Sequence, residues 1–144
     1  MKNILILGAF LFSLNGYAQI TALKDKNAVS NFNLKTMELF KNGEVEQAFQ
    51  AFYTYWAFAD TDLQVLESKT LQNLNYFKTT FGECLNFERY RSVEFANSFV
   101  EERYLLRYEN TALRFIFIFF KSPKGYILNA FKWDTEIGEE LEKL

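Results

Sequence analysis

Residues 113–121, Leu-Arg-Phe-Ile-Phe-Ile-Phe-Phe-Lys, constrain this chain more than any other stretch. A run so short, so aromatic and so β-branched reads as a strand buried on both faces. Side chains alternate along a strand, so Leu113, Phe115, Phe117 and Phe119 point one way, and Arg114, Ile116, Ile118 and Phe120 the other. Helices can cover the first row. The second needs cover of its own, and what supplies it is the functional question posed by the sequence.

The chain opens with Met1-Lys2-Asn3, an apolar segment over 4–14 and then Gly16-Tyr17-Ala18. A charged start, an apolar stretch and a small-x-small site are the pattern of a secretory signal peptide, with cleavage expected after Ala18. The apolar segment falls well short of the ~20 residues that span a bilayer, so no stable membrane insertion is expected once it is removed. A periplasmic or secreted protein is the expected product. Residues 19–144 then form one domain, large enough for a single core.

Removing Lys2 leaves fifteen basic and eighteen acidic side chains, a net charge of −3, which argues against nucleic acid as a partner. Cys84 is the single cysteine, so no intramolecular disulfide forms, and it reads as a small buried hydrophobe. Histidine is absent, which removes the commonest general base and the commonest metal ligand together. No cofactor and no metal site are expected.

Apolar spacing predicts a helix over 28–41 stopped by Asn42-Gly43, and a second over 44–56 with Val45, Ala48, Phe49, Phe52 and Trp56 on one stripe. A third, over 63–81, follows capping side chains at 59–62 and ends at Gly82. The period then changes to two. Strands are predicted over 90–95, 99–108, 113–121 and 126–133, joined by turns at 109–112 and 122–125. The tail from 135 is acidic, and its Glu139-Glu140-Glu142 cluster is expected to be solvated.

If Tyr108 lies opposite Leu113, one sheet face is almost wholly apolar. The other collects Arg107 beside Arg114, Leu105 beside Ile116, Arg103 beside Ile118 and Glu101 beside Phe120. The last strand adds Ile127, Asn129, Phe131 and Trp133 if Lys121 pairs with Tyr126. All five arginines fall in the strand region. Pairing with Glu88, Glu94, Glu101 or Glu109 is expected for most of them, whereas Arg107 beside Arg114 would require an anion or carboxylate between.

Phe81-Gly82, Val93-Glu94-Phe95, Tyr108-Glu109-Asn110, Ala112-Leu113-Arg114-Phe115, Phe119-Phe120-Lys121, Lys124-Gly125-Tyr126 and Phe131-Lys132-Trp133-Asp134 resemble small secreted bacterial domains of unknown function in the nuclear-transport-factor-2-like (NTF2-like) superfamily, often grouped with cystatin-like folds. The resemblance implies an α+β cone: three helices packed on a curved four-stranded antiparallel sheet. Enzymes of that superfamily, steroid isomerases and dehydratases, place an Asp with Tyr or His at the mouth of the cone. No such pair matches here, though Glu101, Tyr104 and Asp134 are the groups an acid/base set would draw on. The expectation is therefore a non-enzymatic domain. Its face of Arg103, Leu105, Arg107, Arg114, Ile116, Ile118, Phe120 and Phe131 forms a homodimer or binds a small-molecule ligand, apolar with an acidic head. The alternative is an isomerase or dehydratase with a carboxylate inside the cone.

Overall fold

The computed structural model describes residues 20–142. The expected leader lies outside the described residues. Three helices come first, α1 (Lys26–Lys41), α2 (Val45–Tyr55) and α3 (Asp60–Phe81), and four strands follow, β1 (Cys84–Phe95), β2 (Phe99–Tyr108), β3 (Ala112–Ser122) and β4 (Gly125–Asp134). A short helix α4 (Gly138–Leu141) comes last. The strands form one antiparallel meander in the order β1-β2-β3-β4. This is the α+β arrangement expected from the sequence and implied by the NTF2-like resemblance.

Local chemistry sets the helix ends. Asp25 caps α1 by accepting a 2.8 Å bond from the Ala28 N–H. At the end of α3 the chain turns through Gly82 at φ 92°, where an added Cβ would run into the Glu109 carboxylate. The N-cap of α3 is Ala59, which makes no side-chain bond. Asp60 and Asp62 instead lie in its first turn, where negative charge suits the helix dipole.

Strand β1 begins at Cys84 rather than at Tyr90, because register breaks at Cys84/Asn86 and Arg89/Arg91 interrupt its alternation. Between β2 and β3 the register differs by two residues from the expected one: Leu106, not Tyr108, lies opposite Leu113. The Tyr108 N–H donates to the Thr111 carbonyl at 2.8 Å, closing a tight turn, so pairing starts at Arg107 and Ala112. A shift of two preserves which face each residue occupies. It changes the neighbours, however: Arg114 faces Leu105, and Arg107 is not beside it.

Lys121 pairs with Tyr126 as expected, but a bulge at Asn129 then flips the rest of β4. Phe131 lies opposite Phe117 and Trp133 opposite Phe115, on the helix-facing side. This corrects the assignment of Phe131 and Trp133 to the open face; Lys132 and Asp134 take those places, opposite Ile116 and Arg114. The outer edge of β4 is covered by single bridges from Leu23 and Trp56 to Tyr126 and Leu128.

Phe131 is the hub of the core. Its ring lies within 4.8–5.9 Å, centroid to centroid, of Phe40, Phe49, Phe52, Phe115 and Phe117. All six are buried, so phenylalanine fills the space between helices and sheet. Among the described residues no helix is long and apolar enough to cross a membrane.

Candidate functional site

The open face of the sheet is graded. Reading across β1 to β4, its first row is Glu88, Leu105, Arg114 and Asp134, and its second is Arg91, Arg103, Ile116 and Lys132. Then come Val93, Glu101, Ile118 and Ala130, and finally Phe95, Phe99, Phe120 and Ile127. Charge is concentrated at one end and apolar surface at the other. Along β3 these ends lie about 20 Å apart, at roughly 3.3 Å per residue.

The charged end is covered by the chain itself. After Asp134 the backbone turns, with the Glu136 N–H donating to Asp134 Oδ1 at 3.0 Å, and brings α4 over the sheet. Arg114, only 2 % exposed, holds Asp134 with two bonds of 2.8 Å, from Nε and Nη2. Its Nη1 donates to Glu140 Oε1 at 2.7 Å and its Nη2 to Glu139 Oε2 at 3.1 Å. Arg103 is clamped by Glu101 at 2.6 and 3.1 Å, and its Nη1 also donates to Glu140 Oε1. Arg91 Nη1 lies 3.7 Å from Glu140 Oε2. Three guanidinium groups thus converge on one carboxylate, whose side chain is 12 % exposed. Of the acidic cluster expected to be solvated, Glu139 and Glu142 are exposed but Glu140 is withdrawn from water, and Ile116, 1 % exposed, is buried on this face as well.

These contacts bias the ionisable groups. Burial pushes the Asp134 carboxyl up, but the Arg114 hydrogen bond, the Glu136 N–H and the charges of Arg114 and Lys132 outweigh it and hold the pKa below the ordinary range. Glu136 is pushed up, chiefly by its hydrogen bond to Glu139, so the tail's own carboxylates crowd one another. Tyr90, the extra residue of the β1 bulge, is raised by burial first and then by the charge of Glu140, against the pull of Arg103 and Arg114. Its hydroxyl is buried beside Arg103 close enough to feel it, yet makes no well-formed hydrogen bond.

Among the described residues the helix-facing side has one buried carboxylate, Glu102, 2 % exposed. Four donors meet it: Ser30 Oγ at 2.5 Å, Asn33 Nδ2 at 2.8 Å, Arg89 Nη1 at 2.9 Å and Tyr104 Oη at 2.6 Å. Such saturation ties elements together and leaves little capacity to move protons. The acid/base candidates Glu101, Tyr104 and Asp134 are not brought together, since Tyr104 faces the helices and the two carboxylates hold different arginines. A cavity of about 240 Å³ remains where α1, α3 and β1 meet, lined in part by Phe40, Leu74, Lys78, Cys84 and Tyr108. Cys84 is half-buried there rather than buried, and its thiol is pushed up by desolvation. Among the described residues no cluster of Cys, Asp or Glu is placed to hold a metal ion.

Of the face expected from the sequence, Arg103, Leu105, Arg114, Ile116, Ile118 and Phe120 share one side of the sheet. Arg107 is exposed at its end and Phe131 belongs to the core. Sequence reasoning missed Tyr90, Arg91 and Glu140. The available signal was complementarity: an arginine-rich strand region followed by an acidic tail.

No family model matches the chain, and no curated protein matches it. Among solved structures it is similar to a Campylobacter jejuni protein provisionally described as an NTF2-like transpeptidase, with 10% identity and a TM-score of 0.47 over 73% of this chain and 96% of that one.

Proposed function

We propose that the chain is a secreted or periplasmic, non-enzymatic binding domain that takes an amphipathic ligand on the open sheet face, with its acidic head at the arginine end and its apolar body toward Phe120. The grade across that face carries this reading: Arg91, Arg103 and Arg114 gather round a carboxylate at one end, and Phe95, Phe99, Phe120 and Ile127 form an unbroken apolar row at the other. Arginine forks suit planar anions, and an apolar strip beside them suits an alkyl or aromatic body. The saturated Glu102 and the phenylalanine-filled interior support a binding role over an isomerase or dehydratase. Titrating isotopically labelled protein from Gln19 onward with decanoate tests it. Amide shifts running along the open face, from Arg91, Arg103 and Arg114 to Ile118, Phe120 and Ile127, are expected; shifts confined to α1–α3, or none, would end it.

A second reading, a homodimer through the same apolar row, is favoured by Phe95 and Phe120, which are 69 % and 39 % exposed. Light scattering behind size exclusion is expected to show a dimer that Phe120→Glu dissociates. A concentration-independent monomer sinks this reading.

A further inference from the structure

We propose that residues 135–142 form an internal strap over an anion site made by Arg91, Arg103, Arg114 and Tyr90, and that an acidic head group enters when Glu140 leaves. The proposal rests on the amphipathic-ligand reading above and adds how the site is controlled.

The strap is held by charge rather than by area. Helix α4 has no buried residue, and Leu141 is 64 % exposed. Of its carboxylates that meet the arginines, Glu136 and Glu139 are 63 % and 54 % exposed and make weak pairs that salt screens, so the segment's grip on the sheet comes down to the one withdrawn carboxylate, Glu140. The site beneath would survive its departure. Asp134 holds Arg114 by two bonds and Glu101 holds Arg103 by two, and both carboxylates lie on strands rather than on the strap. The guanidinium groups therefore stay oriented, which lowers the ordering cost of a ligand.

Charge balance gives the same answer. Three arginines against Glu101 and Asp134 leave the site at +1; adding Glu136, Glu139 and Glu140 from the strap makes it −2. An external anion is repelled with the strap in place and attracted once it is out. Glu140 also leaves donors underused. Arg91 stands at 3.7 Å from it, beyond hydrogen-bonding reach, and the buried Tyr90 hydroxyl, beside Arg103, makes no well-formed hydrogen bond. A head group free of the helix can settle closer to both.

The apparent affinity of a site open only part of the time falls by the open fraction. The test is calorimetric titration of decanoate, below its micelle concentration, into the chain from Gln19 onward and into Glu140→Gln, with amide exchange of 137–142 followed in parallel. Glu140→Gln is expected to bind at least tenfold tighter, and saturation of the unaltered protein is expected to accelerate exchange in the strap. Glu140→Asp, which keeps the charge but withdraws it, is expected to fall between. Adding Tyr90→Phe to Glu140→Gln is expected to weaken binding about fivefold, the worth of one hydrogen bond. Equal affinities with unchanged exchange would overturn the strap while leaving the ligand reading intact. No binding to any variant would overturn both, and an indifferent Tyr90→Phe would strike Tyr90 from the site.

Discussion

The two faces of this sheet are closed by different physics. Toward the helices, side chains of Phe115, Phe117 and Phe131 meet those of Phe40, Phe49 and Phe52, and nearly all the cohesion is apolar area. On the opposite side Arg91, Arg103 and Arg114 meet Glu140, and the cohesion is charge. Buried area does not respond to salt and responds to pH only through neighbouring groups, whereas ion pairs respond to both. One strand, β3, serves both closures through its alternating side chains. A single element can therefore carry two closures held by different forces, provided that its two rows differ in kind.

Four variants would break or sharpen this contrast. Phe131→Ala empties the hub of the aromatic layer and is expected to cost about 3–5 kcal/mol in urea unfolding, independent of salt. A loss under about 1 kcal/mol would mean that the layer is not held by area. Arg114→Met leaves Asp134, Glu139 and Glu140 crowded without their shared cation and is expected to cost about 3 kcal/mol. Added salt is expected to recover part of that loss by screening their repulsion, a response that Phe131→Ala should not share.

Asp134→Asn is expected to cost about 2 kcal/mol at neutral pH, with the remaining carboxylates partly compensating. The pH dependence has a definite sign. Asp134 has its folded pKa below the ordinary value, so its contribution is complete above the ordinary carboxylate range of about 4 and is lost as pH falls through and below it. Stability curves of Asp134→Asn and the unaltered protein should therefore converge in acid; a constant gap down to the lowest accessible pH would remove Asp134 from the charged closure. Tyr90→Phe is the smallest change. It deletes a buried hydroxyl that makes no well-formed hydrogen bond and is expected to be neutral or to stabilise by up to about 1 kcal/mol, whereas a clear loss would show that its contact with Arg103 is a hydrogen bond in solution.

Most of the fold was legible because its signals are local. The stops at Asn42-Gly43 and Gly82, the stripe through Phe49 and Phe52, and the alternation of 113–121 each reflect a few neighbouring residues. The misplacements arise where one residue is added to a strand. Counting by twos through Asn129 sends Phe131 to the wrong face, and the breaks near Asn86 and Tyr90 hide the first half of β1. The site was half legible. Its arginines stood out as a group, but their partner, Glu140, is 26 and 37 residues from the two it binds, and nothing local in an acidic tail distinguishes a docked segment from a solvated one.

Glu102 carries a consequence for the order in which the molecule assembles. Its carboxylate joins Ser30 and Asn33 on α1, which are 72 and 69 residues distant in the chain, to Arg89 and Tyr104 on adjacent strands. Contacts of such long range close late, after the loop between them has paid its entropy. The first helix, though complete in sequence from the outset, has no anchor for its polar side until the β1–β2 hairpin exists. Pulse-labelled exchange during refolding is expected to show α1 gaining protection together with β2 or after it, so that the N-terminal helix and the middle of the sheet behave as one cooperative unit.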